Sequence, residues 1–168
     1  KNGLVMFNKF TTAGLSFPVQ GSAGFNGTSD FIQLNESFSH TNHTIAAWCY
    51  INDNASTKYI FDARDDNDDG FRLITLSDET IFYSVNTSDV QYTTPITNQW
   101  VFVVATYDGS NQKLYIDGSQ TNNAATSQTI STTTDATIGR ASNAATGFFT
   151  GNLANVAIWN RALTSDEI

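Results

Sequence analysis

The fold is decided by the stretch WVFVVATYDGSNQKLYIDG, residues 100–118. Its first eight residues form a nearly unbroken apolar run, which is typical of a central strand buried on both faces. The Asp108-Gly109 pair supplies a tight turn that reverses the chain into a second strand, residues 113–116. The Asp117-Gly118 pair then reverses the chain again. The stretch therefore predicts neighbouring antiparallel strands at the centre of a sheet.

Elsewhere the sequence contains short runs of β-branched and aromatic residues separated by Gly, Asn and Asp, which predict further strands. We expect these at residues 24–26, 30–34, 44–51, 59–63, 71–75, 80–85, 90–93, 136–138 and 149–159. No amphipathic helical stripe exceeds two turns, so the pattern predicts an all-β antiparallel sandwich. The C-terminal end has a short helix start at most, with Thr164 as its N-cap and Glu167 at the capping-box position.

Two stretches leave alternatives open. Residues 1–23 form an N-terminal extension or add an edge strand, whereas residues 24–168 form the sandwich domain. Residues 121–137 are rich in Thr, Ser, Asn and Ala, and form a long loop or an edge strand with a polar outer face. The chain begins without Met, so we expect it to be part of a longer polypeptide or assembly.

The charge balance and the apolar runs exclude two classes of partner. Sixteen acidic residues against eight basic ones give a net charge of −8. This is the wrong sign for a phosphate-binding surface, so no nucleic acid is expected as a partner. The longest apolar runs, residues 45–51 and 101–105, are strand-sized and fall short of the ~18 residues that a membrane-spanning helix needs. We therefore expect no membrane insertion.

Four motifs make residues 24–168 resemble the laminin-G-like, concanavalin-A-like family of jelly-roll domains. In the family's order they are FNGTSDFI at 25–32, TIAAW at 44–48, the stretch at 100–118, and GNLANVAIWNRALT at 151–164. The resemblance implies a jelly-roll β-sandwich. A fold of this kind hosts many ligands, so the motifs bear on architecture more than on what is bound.

No constellation of residues points to catalysis. Glycosidases of related sandwiches need two carboxylates facing a sugar, but Glu36, Glu79 and Glu167 are isolated from one another. The two histidines, His40 and His43, lie in a polar stretch that we interpret as a solvated loop. No nucleophile motif such as G-x-S-x-G is present. We therefore expect a non-enzyme with no catalytic residues.

Calcium is the one candidate cofactor, at either of two places. The acidic loop at residues 62–70 has five acids and one arginine, a net −4 that is half of the chain's −8. Within it, Asp65, Asn67 and Asp69 alternate as they do in the opening of an oxygen-rich calcium loop. The alternative is a solvated acidic hairpin. The family resemblance implies a second site at Asp30 and Asn155, where the family often has Asp.

Sugar binding would use an aromatic face together with hydrogen-bonding groups. The candidate ligand-binding residues are Tyr83, Tyr92, Arg140, Phe148 and Phe149. Adjacent residues on a strand point to opposite faces, so one ring of the Phe148-Phe149 pair should be exposed. The alternative is that all these aromatic residues are core or scattered surface positions. We expect the three tryptophans and the single Cys49 to be core residues.

Two functional hypotheses follow. The first is a non-catalytic, carbohydrate-binding (lectin-like) or cell adhesion module of a larger extracellular or cell-surface protein, with a glycan as its partner. The second is a structural or decoration module of a virion, such as a phage particle, or of a surface filament. In that case its partners would be neighbouring protein subunits.

Overall fold

The computed structural model describes residues 4–8, 21–52, 56–130 and 135–168, with the backbone alone at residues 4–8 and 37. The described residues form thirteen strands: β1 Leu4–Asn8, β2 Ala23–Asn26, β3 Ile32–Ser37, β4 His43–Ile51, β5 Lys58–Arg64, β6 Gly70–Thr75, β7 Ile81–Val85, β8 Ser88–Tyr92, β9 Trp100–Tyr107, β10 Asn111–Ile116, β11 Ser119–Ala125, β12 Asp135–Ile138 and β13 Thr150–Trp159. None of the described segments is a helix that could span a membrane.

The strands form two antiparallel sheets that pack face to face. The first sheet has seven strands in the order β1-β13-β4-β9-β10-β11, with β2 also paired to β13. The second has six strands in the order β3-β12-β5-β6-β7-β8. The predicted all-β, antiparallel jelly-roll sandwich is thus confirmed. Within the first sheet, β9 lies between β4 and β10, as its apolar run predicts.

The structure describes part of each of the two regions that the sequence left open, and residues 1–3 and 9–20 lie outside the described residues. The segment β11 is an edge strand with an almost wholly exposed polar surface, and residues 131–134 lie outside the described part of the chain. At the other edge, β1 pairs with residues 156–159 of β13 and β2 pairs with residues 150–153. The C-terminal residues form a turn, in which the Glu167 N–H donates to the Thr164 carbonyl oxygen over 3.1 Å. The division of the chain at residue 23 stays a prediction.

The core lies between the two sheets and is rich in aromatic rings. The fully buried large side chains include those of Tyr83, Tyr107, Phe61, Phe71 and Phe149. Cys49 is buried as expected, and burial raises the pKa of its thiol well above the usual range. One expectation is wrong, because none of the three tryptophans lies in this core. Trp48 is 39% exposed, since it alternates with the core-facing residues of β4 and so points away from the opposite sheet. Trp100 is half-buried beside Tyr50, and Trp159 is half-buried against a small cluster of Ala46, Val104 and Tyr115.

His43 is a polar residue inside this core, which corrects its interpretation as part of a solvated loop. It begins β4, is fully buried, and stacks on Phe71 with the ring centroids 3.7 Å apart. Its Nδ1 donates to the His40 carbonyl oxygen over 3.0 Å, which leaves Nε2 to accept from the Tyr83 hydroxyl over 2.6 Å. The neutral imidazole is therefore held in one tautomer by two hydrogen bonds.

We expect this histidine to make stability depend on pH. Burial lowers the pKa of His43 from 6.5 to about 3, so the unfolded chain binds an extra proton between those two values. Stability should therefore fall as the pH drops below about 6.5, by roughly 2 kcal/mol at about pH 5. Urea unfolding between about pH 7 and 5 measures this slope. His43→Leu should flatten it, whereas His40→Gln, which keeps the His40 carbonyl, should leave it; an unchanged slope in His43→Leu would contradict the assignment.

Candidate functional site

Two large hydrophobic side chains of the described residues are exposed, and each marks a surface. Phe31 is 40% exposed and Trp48 is 39% exposed. The Phe31 patch consists of Phe31, Gln33, Arg140 and Phe148. The Trp48 patch consists of Trp48, Tyr50, Trp100 and Phe102. Each patch lies on the outer face of a sheet, meaning the face turned away from the other sheet.

The Phe31 patch is placed by the strand alternation at the edge of the six-stranded sheet. Leu34 of β3 is buried in the core, so its neighbour Gln33 points outward. Thr137 of β12 pairs with Gln33, and Gly139 then turns the chain with a φ of +90°. A Cβ at Gly139 would lie 2.5 Å from the Phe25 ring, so only glycine allows the chain to pass there and deliver Arg140 to the surface.

The Arg140 guanidinium lies over an aromatic ring. Its Cζ is 3.9 Å from the centroid of the Phe31 ring, a cation–π contact. Its Nη2 donates a long hydrogen bond of 3.4 Å to Gln33 Oε1. The Phe148 ring meets the Phe31 ring edge-on at 6.5 Å. Two aromatic rings, a cation and an amide therefore converge on one exposed patch.

A cleft of about 280 Å³ borders the Phe31 ring. Its lining includes Ser29 and Asp30, together with residues 23–25 and Ile32. The Asn26 side-chain Oδ1 accepts the backbone N–H groups of Thr28 and Ser29 at 2.9 Å each. In return, the Asn26 N–H donates to Asp30 Oδ2 over 3.1 Å. These bonds hold the loop, so the hydroxyl and carboxylate at the cleft have fixed positions.

A buried ion pair anchors the loop, residues 139–148, that carries Arg140 and Phe148. Arg64 donates to Asp62 through Nε at 2.8 Å and Nη2 at 2.9 Å. Burial opposes the charge on Arg64, but the hydrogen bonds to Asp62 outweigh it and the pKa of Arg64 is raised. The Ser142 N–H donates to Asp62 over 3.0 Å, and the Ser142 hydroxyl donates to the Arg64 carbonyl oxygen over 2.7 Å. The loop is thus tied to β5.

The Trp48 patch is more apolar than the Phe31 patch. Trp48 and Phe102 are cross-strand partners with ring centroids 5.2 Å apart, and Tyr50 and Trp100 form a second pair at 5.7 Å. A cleft of about 380 Å³ beside them is lined by Trp48, Phe102, Asp117, Gly118 and Ile168. The carboxylate of Asp117 already accepts the Phe102 N–H at 2.9 Å. The patch therefore presents aromatic rings to a ligand but few polar groups that could form hydrogen bonds with it.

The five predicted ligand-binding residues lie in three different places. Arg140 and Phe148 come together in the Phe31 patch, and Phe148 is the half-exposed ring of its pair. Tyr83 and Phe149 are fully buried in the core, so their assignment to a ligand surface is corrected. Tyr92 packs against the core from β8, at the edge of the sheet opposite β3.

Sequence reasoning missed Phe31 and Gln33. Phe31 stands in the motif that predicts the opening strand. The two-residue period of a strand could have placed both residues, because Ile32 and Leu34 face the core and their neighbours Phe31 and Gln33 therefore face outward.

The carboxylates of Asp65 and Asp68 bond to other groups of the acidic loop. Asp65 Oδ1 accepts the backbone N–H groups of Asn67 at 2.8 Å and Asp69 at 2.9 Å, and these bonds lower the pKa of Asp65. The Asn67 amide donates to Asp65 Oδ2 over 3.3 Å, and Asp68 pairs with Arg64. Among the described residues no group of three or more His, Cys, Asp or Glu could hold a metal ion. This arrangement does not fit a cation cradle, and calcium at Asp65, Asn67 and Asp69 stays a prediction.

Asp30 and Asn155 do not meet at one point. Asp30 is hydrogen-bonded to Asn26, which pairs with Thr150 at the start of β13. Asn155 lies five residues further along that strand, roughly 16 Å away at a rise of ~3.3 Å per residue. A single ion could not be shared across that distance. Calcium at either residue stays a prediction.

Comparisons with known proteins agree with this architecture. A family model described as concanavalin A-like lectin/glucanases superfamily, of the laminin G type, matches residues 26–168, which confirms the resemblance seen in the sequence motifs. No curated protein sequence matches the chain.

Solved structures share the fold at low sequence identity. A Trypanosoma rangeli sialidase in complex with sialic acid has a TM-score of 0.76 at 18% identity, covering 99% of this chain and 32% of that one. A heptameric SAP-like pentraxin from Limulus polyphemus has a TM-score of 0.68 at 21% identity, and the match covers 86% of this chain and 77% of that one. The botulinum neurotoxin serotype D binding domain has a TM-score of 0.71 at 15% identity, and the match covers 96% of this chain and 45% of that one. This chain spans less than half of the toxin and sialidase structures, and at these identities the likeness shows the fold alone.

Proposed function

The chain belongs to the laminin-G-type family of the concanavalin A-like lectin/glucanases superfamily, and from this membership and the Phe31 patch we propose a non-catalytic carbohydrate-binding module. We place it in a larger extracellular or surface protein, where it would serve adhesion to glycans. The observation that carries the proposal is the exposed Phe31 ring with Arg140, Gln33 and a polar cleft around it.

The chemistry of the Phe31 patch suits a sugar ring. Pyranoses present C–H groups on their faces and hydroxyls around their edges, so they need an apolar surface bordered by hydrogen-bonding groups. Phe31 and Phe148 supply the apolar surface. Ser29 and Asp30 supply a hydroxyl and a carboxylate at its border, whereas the Gln33 amide holds the patch together by bonds to Arg140 and to the Asp135 and Ala136 carbonyl oxygens. Rigid strands and a hydrogen-bonded loop hold these groups, which keeps the entropic cost of binding low.

We expect Phe31→Ala to weaken glycan binding by about tenfold or more, because losing the burial of a phenyl ring costs roughly 1.5 kcal/mol. A glycan array screened in calcium, and again with a chelator, identifies the ligand, and calorimetric titration measures its affinity. Trp48→Ala is the matched control, since it removes an equally exposed ring from the other sheet. An array with no binding in either buffer contradicts the proposal, as does binding that Trp48→Ala abolishes and Phe31→Ala leaves intact.

The Trp48 patch favours a second candidate function, in which the domain contacts a neighbouring protein subunit. Its exposed aromatic pairs and its internally bonded Asp117 suit an apolar protein surface better than a sugar. This is the decoration-module hypothesis, in a surface filament or a virion. An array without binding, combined with an assembly that Trp48→Ala disrupts and Phe31→Ala does not, would favour it.

A further inference from the structure

We propose that the Phe31 patch recognises a glycan that carries a single carboxylate, and that Arg140 binds that carboxylate. The inference rests on the proposed function and deepens it by naming the ligand class. The ligand is an oligosaccharide ending in one acidic sugar, such as a uronic or a nonulosonic acid.

Arg140 is held against the Phe31 ring. Its Cζ lies 3.9 Å from the ring centroid, and this contact restricts where the guanidinium can lie. The long bond to Gln33 uses Nη2, and Nε is buried, so the donors left for a ligand are the other N–H groups of the two terminal nitrogens. A planar fork matches the two oxygens of a carboxylate, and the pair can form two parallel hydrogen bonds.

The charge of Arg140 also favours an anionic ligand. Among the described residues, Arg140 takes part in no ion pair within 4 Å, whereas Arg64 pairs with Asp62 and Asp68 and Arg161 pairs with Glu167. A cation held at the surface of a chain of net charge −8 without an acidic partner is free to bind an anion from outside. A single cation is matched by a single carboxylate. A polyanion would be repelled by the surrounding negative charge.

The cleft beside Phe31 gives the place of the sugar ring. Phe31 lines the cleft, and Arg140 Cζ lies 3.9 Å from the centroid of the same ring, so we place the pyranose in the cleft with its carboxylate toward the guanidinium. Ser29 and Asp30 lie within the same cleft and can bond the hydroxyls. One sugar can therefore use the ring, the hydroxyl partners and the cation together.

The test compares glycans that differ in one group. Oligosaccharides ending in a uronic or a nonulosonic acid are titrated beside their carboxyl-reduced, neutral counterparts, with heparin as a polyanion. We expect wild type to prefer the acidic form by about tenfold to a hundredfold. Arg140→Gln should remove that preference, so that the acidic and neutral forms bind the variant with affinities within about twofold of each other. Arg140→Lys should retain part of the preference, because lysine keeps the charge without the planar fork.

Arg72→Gln is the matched control. Arg72 also lies over an aromatic ring, Phe82 at 5.9 Å, and among the described residues it too forms no ion pair. Its loss removes the same charge at a distance from the patch, so the preference should survive. Equal affinity for acidic and neutral forms in wild type overturns the inference while leaving the proposed function standing. A preference that Arg72→Gln removes, or heparin binding that exceeds the single-carboxylate ligands, also overturns it. Absence of binding to every glycan overturns both proposals.

Discussion

Asp62→Asn is expected to lower the free energy of unfolding by about 3–5 kcal/mol, because it leaves a buried guanidinium without its main counter-charge. The Asp62 side chain is fully buried and that of Arg64 is 4% exposed. The other carboxylate that pairs with Arg64, that of Asp68, is 64% exposed, so water screens its attraction for the guanidinium. The substitution also weakens the hydrogen bond from the Ser142 N–H, which fastens the loop that carries the Phe31 patch.

Urea denaturation at neutral pH measures this effect, and Glu167→Gln is its control. Glu167 makes two bonds of 2.7 Å to Arg161, so the geometry of the two pairs is comparable. Both partners of the control pair are exposed, and water screens their attraction. Glu167→Gln should therefore be much closer to wild type than Asp62→Asn. Equal losses from the two substitutions would show that burial of the Asp62–Arg64 pair is not what matters.

Phe71→Ala is the second large expected effect, a loss of about 3–5 kcal/mol from the cavity left in the core. The Phe71 ring stacks on His43 at 3.7 Å and on Phe61 at 5.7 Å, and it is fully buried. Its removal deprives both rings of a packing partner and opens space around the hydrogen bond between His43 and Tyr83.

Two further variants keep this prediction testable if Phe71→Ala does not fold. Phe71→Leu leaves a smaller cavity and should show a smaller loss in urea denaturation. Phe82→Ala removes the same type of ring from the outward-facing side of the neighbouring strand β7, where the residue is only half-buried. Its effect should be well below that of Phe71→Ala, and the reverse order would contradict the core assignment.

The neighbouring strands β9 and β10 of the seven-stranded sheet could be predicted from sequence, because the residues that determine them are close together in the chain. The apolar run of β9 and the two Asp-Gly turns lie within 19 residues, and each neighbour in that part of the sheet follows the previous one along the chain. The edge strand β11 is harder to predict, because its residues are polar and show no alternation of apolar and polar positions. Its strand conformation depends on the backbone pairing with β10.

The candidate site could be predicted only in part, because long-range pairing creates it. Arg140 and Gln33 are 107 residues apart in sequence, and Ser142 meets Asp62 across 80. Composition and spacing cannot show that Arg140 lies on Phe31, or that Asp65 and Asp68 bond to groups of their own loop. The burial of His43 could not be predicted either. Its neighbours in sequence are polar, and the residue that bonds its side chain, Tyr83, is 40 residues away.

The shared edge of β13 has a mechanical consequence. Leu4 lies opposite Trp159 and Asn8 lies opposite Val156, so the first and last strands run in opposite directions with their outer ends side by side. A force that draws Leu4 away from Trp159 loads the ladder at one end and opens it one pair at a time, like a zipper. The short β1 would detach first under tension, while β2 stays on the other half of β13 and keeps the sandwich closed.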